Sequence, residues 1–109
     1  MEDFGRQVAE LHAKTQETRY QFLRAELLTC FTALDFGDTE WELGSRDVAE
    51  KEVYTTEKGY ETIRRFLPGL DSLERRNEIE IKLADLRGTL DNFRLKLGFG
   101  LASEACYDI

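Results

Sequence analysis

The sequence predicts an all-α protein with three helices: a long N-terminal helix, an antiparallel hairpin return and a third amphipathic helix. Three observations predict this class. Proline occurs once, at Pro68, so little interrupts helix elsewhere. Charged residues make up 34% and apolar ones 41%, a balance that suits folded helices and argues against a disordered chain. Apolar residues also recur at alternating steps of four and three, the helical period. At 109 residues the chain has room for one domain, read as 1–98 with a tail at 99–109.

Residues 3–34 form the first periodic segment. One stripe runs through Phe4, Val8, Leu11, Thr15, Thr18, Phe22 and Ala25. A second runs through Tyr20, Leu23, Leu27, Phe31 and Leu34. The stripes overlap around 20–31, which is expected to be buried on more than one side. Beyond Leu34 two readings stand. In one, the helix ends there and Thr39 caps a new one. In the other it runs on to Leu43, with Gly44 as the left-handed residue and Ser45 as the next cap. Periodicity favours the continuous helix, because Phe22, Thr29, Phe36 and Leu43 keep heptad steps through the supposed loop.

A second helix is expected over 46–67, from Ala49, Val53, Thr56, Tyr60, Ile63 and Leu67. Pro68-Gly69 stops it, since the residue before proline avoids helical geometry. Asp71 with Glu74 reads as a capping pair for the third helix, roughly 72–97. There Ile79, Leu83, Leu86, Leu90, Phe93 and Leu97 make a heptad seam, and Gly98 closes the end.

The spacing of Phe36-Gly37, Gly44, Ala49 and Val53 resembles a tetratricopeptide repeat hairpin, over about residues 33–63. The resemblance implies that Gly37 packs against Ala49 and that Gly44 makes the turn. It covers one hairpin only. Ala33, Glu40, Thr56 and Glu61 depart from the family pattern, and no second copy follows, so the chain is not read as a repeat array.

Composition excludes several functions. The net charge is −7, and residues 35–61 hold nine acidic against three basic residues. A phosphate-tracking surface needs clustered lysine and arginine, so no nucleic-acid partner is expected. No apolar run approaches the roughly 20 residues of a membrane span. Cys30 and Cys106 fit no metal or redox spacing and suit a reducing compartment, so a cytoplasmic protein is expected. The single histidine, His12, has no ligand partner at metal spacing. It lies about 27 Å along the helix from Cys30, too far for a catalytic pair. No catalytic residue, metal or cofactor is assigned. The expected function is a non-enzymatic interaction or assembly module that binds itself, as a homodimer, or another helical protein. Phe4, Val8, Leu11 and Phe99 are its candidate contacts, and Gly37, Gly44 and Ala49 its hairpin-packing residues. The alternative is a small-molecule-binding bundle with a pocket among Trp41, Tyr54, Tyr60 and Phe66.

Overall fold

The computed structural model describes residues 2–98. Phe99, Leu101 and Cys106, with the rest of 99–109, lie outside the described residues. Three helices fill the described chain: α1 (Glu2–Glu42), α2 (Arg46–Phe66) and α3 (Leu73–Leu97), with a single 3-10 turn at Leu67–Gly69. Helix α1 is continuous, so Gly37 sits inside it, not in a loop.

The turn after α1 follows from Gly44, whose φ of +89° only glycine adopts without strain. Its N–H donates to the Trp41 carbonyl at 3.0 Å, and the Ser45 N–H donates to Glu40 at 2.8 Å. Those two bonds satisfy carbonyls that the helix end leaves open. The Ser45 hydroxyl makes no capping bond, contrary to expectation. Gly44→Ala is expected to cost about 1–2 kcal/mol in a urea melt, the strain of a left-handed alanine. The start of α3 also differs from its expected form. Ser72, not Asp71, is the cap, with its Oγ accepting from the Arg75 N–H at 3.2 Å. Asp71 instead bonds to α1: its backbone N–H donates to Gln16 and its carboxylate pairs with His12 at 2.6 Å.

Helix α2 returns antiparallel along α1, and α3 runs parallel to α1 over the other side. Cross-links fix the alignment. Tyr20 Oη donates to Glu78 at 2.7 Å, Lys96 reaches Asp38 and Glu42, and Arg94 of α3 pairs with Glu57 of α2 at 2.6 Å. Arg46 donates to the Leu97 carbonyl at 2.6 Å, tying the start of α2 to the end of α3. The core lies between these faces. Leu23, Leu27, Cys30 and Leu34 meet Ala49, Val53 and Ile63 of α2 and the whole heptad seam of α3, from Ile79 to Leu97.

The hairpin register differs from the one the tetratricopeptide resemblance implies. A Cβ on Gly37 would meet Glu52 Cβ and Phe93 Cε2, both at 3.1 Å. Glu52 lies one turn beyond Ala49, which is itself fully buried. Helices α1 and α2 also pack closely at Gly59, where an added Cβ would collide with Cys30 Sγ. Both pairs, 37 with 52 and 30 with 59, centre on Gly44 and Ser45. The turn geometry therefore sets the register.

The molecule is long and thin, at 72 × 26 × 17 Å. Its radius of gyration of 18.6 Å exceeds the roughly 13 Å of a compact chain of about 100 residues. The cause is a mismatch of helix lengths. The 41 residues of α1 span about 61 Å, whereas the 21 of α2 and 25 of α3 span about 31 and 38 Å.

Candidate interaction surface

Helix α1 presents two apolar faces, and the fold covers one. Tyr20, Leu23, Leu27 and Leu34 turn inward and are buried. The first stripe turns outward: Phe4 is 70% exposed, Val8 50%, Leu11 65% and Phe22 41%. The expectation that 20–31 is buried on more than one side is therefore corrected. The two stripes lie on well-separated sides of the helix, and two returning helices cover only one of them. The heptad row that argued for continuity is also exposed, with Phe36 and Leu43 open to solvent.

The returning helices end below the N-terminal turns of α1. The last ties are His12 to Asp71, Gln16 Nε2 to the Gly69 carbonyl at 2.9 Å, and Arg19 to the Phe66 carbonyl at 3.4 Å. Phe4 and Val8 stand on the helix beyond them. At the junction a groove of about 560 Å³ opens, lined by Leu11, Thr15, Thr18, Phe22 and Phe66, with Lys14 and Arg19 at its edges. Phe66 meets Phe22 edge-on, with ring centroids 5.8 Å apart, and the Arg19 guanidinium lies over the same ring. Arg19 also packs on Gly69, and its Nε is buried without a hydrogen-bond partner among the described residues.

Elsewhere charged groups tie the helices to one another. Lys96 Nζ donates to Asp38 at 2.6 Å and Glu42 at 2.9 Å, which holds its ammonium above the usual lysine range. The Tyr20 hydroxyl holds the Glu78 carboxyl below its ordinary value, and that same bond raises the phenol. Gln21 and then Arg75 lower Glu17 by hydrogen bonding. Cross-helix and i,i+4 pairs thus engage Asp38, Glu42, Glu50 and Glu57 from the acidic segment.

Burial, with the Glu26 carboxylate adding to it, pushes the Cys30 thiol up to about 11. An unfolded chain ionises this thiol near 9.0, before the folded one does. Between these values the unfolded state binds fewer protons, so stability falls as pH rises from about 9 to about 11. The expected loss is about 3 kcal/mol, and a Cys30→Ala chain should lack it in parallel urea melts. Below pH 9 the contribution is fully present, and the native thiol should resist alkylation.

The four aromatic residues expected to share a pocket lie apart. Trp41 stacks under Arg46, Tyr54 beside Lys58 and Tyr60 between Arg64 and Arg87. Phe66 alone lines the α1 groove. Among the described residues no group of three His, Cys, Asp or Glu side chains is placed to hold a metal ion. None of the described helices is long and apolar enough to cross a membrane. No protein-family model, curated protein or solved structure matches the chain.

Proposed function

We propose that this chain is a non-enzymatic helical module for protein–protein assembly that self-associates through the outward face of α1. One observation carries the reading. Phe4, Val8 and Leu11 stand exposed on one stripe, on turns that the shorter α2 and α3 do not cover. Exposed apolar rows of this kind mark partner surfaces. Burying the three side chains is worth about 1.5–3 kcal/mol each before the costs of association, and two-fold symmetry doubles it. The hairpin is read as a single tetratricopeptide-like unit in its turn glycine, Gly44, and its buried Ala49, with a register that departs from that family by placing Gly37 against Glu52. A cytoplasmic setting fits the free thiol of Cys30.

Light scattering tests the proposal. The wild-type chain should run as a dimer at micromolar concentration, and Val8→Glu should shift it toward monomer by placing a charge on the stripe of both copies. A wild-type chain that remains monomeric at its highest soluble concentration would remove self-association from the reading.

A further inference from the structure

The outward stripe does not stop at the N-terminal turns. From Phe4, steps of four and three residues carry it through Val8, Leu11, Phe22 and Phe36 to Leu43, with threonines and Ala25 at the positions between. Every position on this row is exposed and none is charged, in a chain whose residues are 34% charged. A row of this spacing, sustained over the length of a helix, is the pattern of two helices packed side by side.

The flanks of the row identify the second helix. Helix α2 closes one flank, where Ala33 is buried. The other flank is wet and carries Gln7, Lys14, Gln21, Leu28, Asp35 and Glu42 in order. Its charge changes sign along the helix, from Lys14 to Asp35; Glu42 beyond them is engaged by Lys96 of α3. Neither Lys14 nor Asp35 makes an ion pair among the described residues.

We infer that the partner is a second copy of this chain whose α1 lies antiparallel along the whole row, with the two-fold axis between Leu23 and Arg24. The inference rests on the self-association proposed above and specifies its geometry. In this register Phe4 faces Leu43 of the second copy, Leu11 faces Phe36, Thr15 faces Thr32 and Phe22 faces Ala25. A bulky phenylalanine thus meets the small Ala25 at the centre. Phe36 of the second copy enters the groove beside Leu11 and Phe66. Lys14 faces Asp35 at both ends of the wet flank. A parallel pair would instead set Lys14 beside Arg19 and Asp35 beside Glu40, like charges in both places. Sliding the antiparallel pair by one heptad would leave Phe4 and Val8 or Leu43 uncovered.

Disulfide trapping separates the arrangements, in a Cys106→Ser background where Cys30 is buried. Thr15→Cys and Thr32→Cys chains are oxidised singly and as a mixture. The antiparallel pair predicts a mixed disulfide in the mixture and none from either chain alone. Self-linked dimers from each single chain would establish a parallel pair and overturn the inference while self-association stands. A dimer by light scattering that gives no cross-link in either format would also overturn it. A wild-type monomer would overturn both this inference and the self-association reading. Charge reversal gives a second, independent readout. Lys14→Glu should raise the dimer dissociation constant about ten-fold, and adding Asp35→Lys in the same chain should return it to within about three-fold of wild type. A double variant no tighter than Lys14→Glu would overturn the register.

Discussion

Gly59→Leu is expected to destabilise the protein by about 3 kcal/mol or more in a urea melt, the upper range of core overpacking. The reason is contact, not propensity. On helix propensity alone, replacing an interior glycine gains up to roughly 1 kcal/mol. At Gly59 even the first carbon collides with Cys30 Sγ, whose side chain is fixed in the core and lies 3.8 Å from the Thr56 carbonyl. Neither helix has room to retreat without opening the α1–α2 seam. Gly37 provides the contrast. Its neighbours, Glu52 Cβ and the Phe93 ring edge, stand at 3.1 Å. Small shifts of each accommodate a methyl group, so Gly37→Ala should fall within about 1 kcal/mol of wild type. Cys30→Ala added to Gly59→Leu should recover part of the loss, because the two positions share one space. A Gly59→Leu chain as stable as wild type would reject this hairpin register.

Leu86→Ala is expected to cost about 3 kcal/mol, within the 2–5 kcal/mol range for a leucine truncated in a packed core. Leu86 is fully buried midway along α3, with Leu83 and Leu90 one turn to either side. The residual cavity would lie where α3 meets the other two helices. Domains of this size hold only about 5–15 kcal/mol in total, so one such change removes a large share. Ile81→Ala is the control. That side chain is 69% exposed on the same helix and should change stability by less than about 0.5 kcal/mol. Equal costs at the two positions would mean that α3 is rotated about its axis.

The third helix was the most legible part of the chain. Its six seam residues are all buried, because the heptad spacing of a nearly parallel helix pair leaves one solution for the inward face. Gly98 also ends it as expected, at φ +87°. For the first helix the sequence favoured continuity over a break after Leu34 without deciding it, and it did not decide which stripe is core. Both stripes have helical spacing. Tyr20, Leu23, Leu27 and Leu34 are inside because α2 and α3 dock there; Thr15 and Thr18, which interrupt the outer stripe, are the local sign that it packs less firmly. One available signal was the complete run of the outer row, uncharged from Phe4 to Leu43 in a highly charged chain.

Of the candidate residues, Phe4, Val8 and Leu11 occupy one exposed face, Gly44 makes the turn and Ala49 is buried. Gly59 was not legible. It sits in the polar stretch "TEKGYE", where a glycine reads as a weak point of a helix. Its role arises from Cys30, 29 residues earlier in the chain. Ser72 took the capping role expected of Asp71 for a similar reason. Either side chain can cap a helix, and Asp71 is drawn to Gln16 and His12 of α1.

The sequence by itself determined the helical class, the break at Pro68 and the seam of α3, and it favoured the turn at Gly44 over a break after Leu34. Each follows from periodicity or backbone preference within a few residues, where the interacting groups are neighbours in the chain. The tertiary structure decided the register of the hairpin, the close contact of Cys30 with Gly59, and which of two apolar stripes on α1 is buried. Those outcomes depend on packing between residues far apart in sequence. They also depend on the lengths of α2 and α3, which are too short and too few to cover all of α1.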